Sequence, residues 1–281
     1  MTGSDGPKAD MLPAMHRFLA AVAATVVFTI VAGLQSATGR AQIKEFDFFA
    51  SFRTWLRELP LEARRQQEEI VRLYREKLTK EGVDPAEIER RATLVRTRWP
   101  EMEADFWNRF FTSPNPGFNT EPNAFLVSVA EKRKPGRALD VGMGEGRNAL
   151  YLAKLGWDVT GFDPAEKAVA LAQERAKKLG LKIKTEIAYD TDFDFGREQW
   201  DLILFSWVAP GRAAAKAVEG LKPGGVIVLE SSTTLLPNKD ILLQWFKPLR
   251  VLQHTQEAGK SDFFGRQDQQ IIRFLAEKPR Q

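Results

Sequence analysis

No cysteine occurs among the 281 residues, so disulfides, thiolate nucleophiles and cysteine metal sites are excluded together. Histidine is nearly as scarce. His16 and His254 are the only two, and a histidine metal site or a Ser-His-Asp triad would have to be served by His254 alone. Both chemistries fit poorly. A dominant charge is missing too, since 41 Lys and Arg stand against 37 Asp and Glu, a net +4. No basic cluster gathers away from the N-terminal apolar stretch, so there is no clear nucleic acid signal. What is present is ordinary for a globular chain: 43% hydrophobic and 28% charged residues.

By composition the chain falls into three stretches, 1–41, 42–104 and 105–281. Phe18 to Leu34 in the first carries no charge. At ~1.5 Å per residue a helix there would span roughly 25 Å, just short of the ~30 Å hydrocarbon core. Lys8, His16 and Arg17 precede the run. Ala37-Thr38-Gly39 and Gly39-Arg40-Ala41 follow it with the small residues a signal peptidase prefers. A cleaved signal peptide and an uncleaved transmembrane anchor fit about equally, either bringing 18–34 to a membrane, and an N-terminal helix buried in the protein fits less well. Arg40, Lys44 and Arg53 match the basic residues ahead of the run, so charge does not set its orientation.

Glu62 to Lys80 lacks Gly and Pro and carries an apolar stripe that includes Ile70, Tyr74 and Leu78, which predicts an amphipathic helix stopped by Gly82. Asp84-Pro85-Ala86-Glu87 opens a second helix, with Asp84 as N-cap and Glu87 at the capping-box position. Pro100 is expected to end it near Trp99. Charges of both signs alternate along this hairpin, so it reads as a solvated pair against the main domain rather than a docking face. Asp105 to Phe111 concentrates aromatics, of which Trp107 and Phe110 are expected in the core. The Pro/Gly/Asn-rich stretch after it is a loop, with Phe118–Thr120 as a candidate lid.

From Arg137 strand and helix alternate. Strands are expected over Ala138–Val141, Asp158–Phe162, Lys182–Ala188, Asp201–Phe205, Val226–Glu230, Arg250–His254 and Ile271–Ala276. Helices fall between them, and the pattern is that of an α/β fold: a seven-stranded, mostly parallel sheet with helices on both faces, preceded by an N-terminal helical segment. Ligands of such sheets bind beyond the carboxyl ends of the strands. There the first strand runs into Asp140-Val141-Gly142-Met143-Gly144-Glu145-Gly146-Arg147-Asn148. Alternate glycines let the backbone turn sharply and approach a ligand, and the helix N-terminus that follows favours an anionic group. A dinucleotide fingerprint would need a glycine where Arg147 stands, which counts against NAD. Asp163, closing the second strand before Pro164, can accept from both hydroxyls of a ribose.

Three further signals complete the set: Asp190-Thr191, Trp200-Asp201-Leu202-Ile203 and Leu221-Lys222-Pro223-Gly224-Gly225. In this order the motifs resemble the class I S-adenosylmethionine-dependent methyltransferases, whose fold is Rossmann-like. Trp107-Asn108, Gly117-Phe118, Glu121-Pro122-Asn123-x-Phe125-Leu126 and the closing Phe274 to Pro279 are similar to the tellurite-resistance-type branch. The resemblance covers about Phe106 to Pro279 and reaches neither the apolar run nor the charged hairpin.

That resemblance implies S-adenosyl-L-methionine as cofactor. Asp140, Gly142, Gly144, Gly146 and Asn148 would surround its methionine end and Asp163 its ribose. Phe162 or Pro164 would cover one face of the adenine, Asp190 would accept from the adenine amino group, and the Thr191 N–H would meet the ring. Ser206 and Trp207 fall where the family has residues near the transferring methyl. An Asn-Pro-Pro-Tyr type of motif is missing there, which speaks against amide and nucleobase nitrogens as acceptors, and His254 comes too late in the chain to be an obvious base. The expected activity is in-line methyl transfer to a small-molecule acceptor, with no metal. A protein or nucleic-acid methyltransferase, and a non-catalytic S-adenosylmethionine-binding protein, stay open as alternatives. Because the donor is made in the cytosol, an anchor with the domain facing the cytoplasm is preferred to a secreted or periplasmic one.

Overall fold

The computed structural model describes residues 67–113, 118–211, 213–233, 235–236, 240–263 and 269–280, with scattered residues between 48 and 59. The chain divides into two compact units, 1–60 and 61–281. In the first, Phe52 is fully buried, stacked on Phe48 and tilted against Trp55. The apolar run 18–34 lies outside the described residues, and among those described no helix is long and apolar enough to cross a membrane.

The second unit opens with a helical hairpin. Helix α1 (Gln67–Lys80) buries Ile70, Tyr74 and Leu78, one residue per turn on a single face. Helix α2 (Pro85–Phe111) answers with Ile88, Ala92 and Val95. Asp84 caps α2 as expected, accepting from the N–H groups of Ala86 at 2.9 Å and Glu87 at 3.3 Å. The far end corrects the sequence reading. Helix α2 does not stop at Trp99 but runs through Pro100 to Phe111, so the division at 104/105 falls inside one helix. An interior proline costs ~3 kcal/mol, and packing beyond it outweighs that cost. Trp107, Phe110 and Phe111 pack with Phe118 and Phe263, and the Asn108 side chain accepts the Lys167 N–H at 2.8 Å.

Seven strands follow: β1 (Arg137–Val141), β2 (Asp158–Asp163), β3 (Lys184–Ile187), β4 (Trp200–Ser206), β5 (Leu221–Ser232), β6 (Arg250–Gly259) and β7 (Gln269–Glu277). They form one sheet in the order β3-β2-β1-β4-β5-β7-β6. All neighbours from β3 to β5 are parallel, and β7 is antiparallel to both β5 and β6. Side chains alternate along each strand and so build two cores. On one face Ile203 and Phe205 of β4 meet α6 (Ala213–Gly220) and α7 (Ile241–Trp245). On the other, Leu202 and Leu204 meet α3 (Ala124–Ala130) and α4 (Arg147–Lys154). Helix α5 (Glu166–Lys178) buries Val169 and Ala172 against Met143. Strand order reverses between β1 and β4, and such a reversal opens a crevice at the carboxyl ends of those strands.

Candidate active site

The turn leaving β1 has φ of 62° at Gly142, 55° at Gly144 and 82° at Gly146, a left-handed backbone that favours glycine. Space is short as well. A Cβ on Gly142 would lie 2.6 Å from a Val208 methyl, and one on Gly144 would lie 2.5 Å from the Phe111 ring. Above this turn is a cavity of about 320 Å³, within the usual ~300–1,000 Å³ of small-ligand sites.

Gly142, Gly144 and Asn148 line the cavity, joined by Phe162, Asp163 and Pro164 from the end of β2. Asp190, Ser206 and Trp207 complete the expected residues found there. Asp163 is 6% exposed and ties the two turns together. Its Oδ2 accepts from the Gly144 N–H at 2.9 Å and its Oδ1 from the Ala165 N–H at 2.8 Å. Each oxygen keeps a further lone-pair direction, enough for two hydroxyls. Burial pushes its pKa up to about 6, against the pull of those two N–H donors. Phe162 is 1% exposed with its ring stacked on Phe193, which leaves the half-buried Pro164 as the surface available to a flat base.

Asp140, Gly146 and Thr191 do not line the cavity. Asp140 is buried beside the turn with Oδ2 unpartnered, and burial pushes its pKa up to about 7 although Arg147 and the Ala149 N–H favour the anion. Gly146 lets α4 start close to α5, since a Cβ there would lie 2.9 Å from that of Ala172. The Thr191 carbonyl accepts from Lys216 Nζ at 2.5 Å. His254 is also elsewhere, edge-on to Phe274 with its Nε2 buried and unpartnered. No group of three or more metal-ligating side chains occurs among the described residues.

Helix α2 supplies a wall that the sequence reading missed. Glu103, Trp107 and Phe111 are spaced four apart, share one face, and line the cavity. Desolvation by the surrounding side chains, then the neighbouring charges of Asp190 and Asp163, raise the pKa of Glu103, which is still exposed to solvent, while the Trp107 indole donates to it. Phe118, from the candidate lid, is buried in the aromatic cluster and is not among the residues lining the cavity. The four-residue spacing was visible in the sequence, but Pro100 hid the helix that carries it.

The end of β4 holds a second network. Trp207 has φ of 62°, a left-handed conformation that costs a bulky residue about 1–3 kcal/mol. Its backbone N–H donates to Glu230 O at 2.9 Å and its indole N–H to Asp262 Oδ1 at 2.6 Å. The amide of Asn123 bridges Asp262, at 2.6 Å, and Glu230, at 2.7 Å. Arg147 is 7% exposed and donates to Glu121 O at 2.9 Å, with Ser206 Oγ and Asp262 Oδ1 each 3.4 Å away. Its guanidinium lies over the Phe263 ring. Burial, then the charge of Asp262, push the pKa of Glu230 up, while Arg273 donates to it at 2.6 Å. Asn123, Glu230 and Asp262 come from loops and strands far apart in the chain; Asn123 fell in the Glu121–Leu126 motif, and no motif marked the other two.

Residues 138–225 match a family described as the methyltransferase domain. Over 79 residues the chain is 39% identical to the probable S-adenosyl-L-methionine-dependent methyltransferase TehB of Haemophilus influenzae, a stretch covering 28% of this chain and 27% of that protein. It is 30% identical over 159 residues to a ubiquinone biosynthesis O-methyltransferase of Idiomarina loihiensis, covering 54% and 63%. A structure solved for the conversion of a disulfide bond into a thioacetal group during echinomycin biosynthesis shares the fold. Its TM-score is 0.52 at 19% identity, covering 63% of this chain and 93% of that one. The aligned stretches span 27% and 63% of the two curated relatives' own lengths.

Proposed function

We propose, from the premise that residues 138–225 form a methyltransferase domain of the class I, S-adenosylmethionine-dependent kind, that this protein moves a methyl group from S-adenosyl-L-methionine to a small-molecule acceptor. The observation that carries the proposal is Asp163, a buried carboxylate fastened to the Gly144 N–H where the glycine turn lines the cavity.

The cavity suits the donor. Gly142 and Gly144 line the cavity with Val208 and Phe111 packed on them, and Asp163 has acceptor capacity for a ribose. Pro164 and Asp190 stand ready for the adenine. S-adenosyl-L-methionine supplies a methyl group already activated on a sulfonium, so displacement depends on alignment more than on an acid or base. Ser206, Trp207 and Phe263 also line the cavity, and an acceptor would lie against them. A cavity of about 320 Å³ lined by Trp107 and Phe111 of α2 together with Trp207 and Phe263 favours a small acceptor. The hairpin carries no unmatched basic face, since Arg72, Arg75 and Arg96 pair with Glu69, Glu89 and Glu68. That favours a solvated surface over docking of protein or nucleic acid. An anchor at 18–34 with the domain on the cytosolic side fits the same reading.

Calorimetry on the purified chain tests it. Wild type is expected to bind S-adenosyl-L-methionine and S-adenosylhomocysteine, and folded Asp163→Ala to bind both at least ~10-fold more weakly, the loss of two bonds to a charged acceptor. Unchanged affinity would remove the ribose assignment. Donor turnover with a metabolite extract, and none with protein or RNA, is expected for a small acceptor; the reverse would overturn that part.

A further inference from the structure

We infer that Asn108 is a positioning residue for the donor: it caps α5 from outside and so clamps the wall made by α2 against the turn that carries Asp163. The inference rests on the donor reading above and deepens it, adding a residue that lies outside the matched stretch 138–225.

A helix leaves its first N–H groups without partners of its own, and the residue before it usually caps them with a side-chain oxygen. Helix α5 has no such residue. Ala165 stands at its cap position and makes no side-chain bond. Two side chains from elsewhere serve instead. Asp163 Oδ1 accepts the Ala165 N–H at 2.8 Å, and Asn108 Oδ1 accepts the Lys167 N–H at 2.8 Å. The first is the carboxylate assigned to the ribose. The second belongs to α2. Phe111, one turn further along α2, closes the other side. Its ring packs on Gly144, whose N–H donates to Asp163 Oδ2 at 2.9 Å. Asn108 and Phe111 thus bear on the two main-chain segments that fix the two oxygens of Asp163. Glu103 and Trp107 line the cavity from the same helix.

The course of α2 explains why this half needs an anchor of its own. Pro100 has no N–H for the Arg96 carbonyl, and the Gln67 amide of α1 donates to that carbonyl at 3.1 Å instead. Up to that point α2 is fastened to α1. Beyond it, Asn108 and the aromatic side chains fasten it beside the cavity. A serine or aspartate at position 165 would cap α5 as well and would tie nothing to α2. The remote cap adds coupling, since the bond that completes α5 also holds the wall. With that bond lost, part of the population has its wall displaced, and apparent affinity falls with the competent fraction.

The experiment is calorimetric titration of the full chain with S-adenosylhomocysteine, alongside urea denaturation to measure stability. Folded Asn108→Ala is expected to bind between about 2- and 30-fold more weakly, the equivalent of a lost cap. Asn108→Asp keeps an oxygen at the same reach and is expected to bind as wild type does. Asp84→Ala uncaps the far end of the same helix and is expected to lose stability without losing affinity. A merely structural Asn108 would weaken binding no more than Asp84 does. Wild-type affinity in folded Asn108→Ala overturns the inference, as does an equal loss in Asp84→Ala or no recovery in Asn108→Asp. Should Asn108→Ala fail to fold, Asn108→Ser, with a side chain one atom shorter, takes its place under the same outcomes. If neither folds, Asn108 serves the fold alone and the inference fails. Wild type that binds while Asn108→Ala is unchanged overturns this inference alone; wild type that does not bind overturns the donor reading and this inference with it.

Discussion

Asp140 and Asp163 carry protons more readily in the folded chain than an ordinary aspartate does, because burial lifts their pKa values to about 7 and about 6. The folded state thus holds more protons than the unfolded one between roughly pH 4 and pH 7. Their contribution to stability is full below the ordinary aspartate pKa and is lost as pH rises through the folded values. The ligand-free protein is expected to melt at falling temperature from about pH 5 to about pH 8. Asp140→Asn, neutral throughout, should flatten part of that slope in thermal melts; a slope as steep as wild type would show that Asp140 is not the titrating group. Ligand binding runs the other way. Ionised Asp163 is the better acceptor for two hydroxyls, so donor affinity is expected to rise as pH passes about 6. At this scale the glycine turn and Asp163 were legible because their chemistry is local, a matter of adjacent residues and a fixed spacing. Arg147 was legible only as a missing glycine, since its partners Glu121, Ser206 and Asp262 lie far off in sequence.

Helix α2 is the element on which the hairpin and the cavity both depend. Its capped end packs on α1, and its other end presents Glu103, Trp107 and Phe111 to the cavity. Asp84→Ala removes the cap that satisfies two N–H groups, and a loss of about 1 kcal/mol is expected. Urea denaturation with an unchanged midpoint would mean that the cap contributes nothing. The ion pairs along the hairpin are exposed and matter less, each about 0–1 kcal/mol. Boundaries of β1, β2 and β4 lay within a residue of the apolar alternation, whereas β5 starts five residues earlier than expected, at Leu221, and β6 runs five further, to Gly259. The end of α2 departed further, because Pro100 is a local signal and the aromatic packing that overrides it is not.

At the scale of the whole molecule, every described residue lining the cavity lies between Glu103 and Phe263, inside the unit 61–281. A chain beginning at Leu61 is therefore expected to unfold in one transition and to bind S-adenosylhomocysteine as the full chain does; calorimetry showing much weaker binding would assign part of the site to 1–60. By itself the amino-acid order determined the α/β class, the seven strands, the glycine turn and the acidic residue opposite it, all of which follow from periodicity and short spacings. The tertiary structure alone decided that Asp140, Gly146 and Thr191 stand back from the cavity, that α2 walls it, and that Trp207 is braced by Asp262. Those facts depend on which distant segments meet when the sheet closes, and burial and hydrogen bonding between remote residues leave no regular trace in a linear pattern.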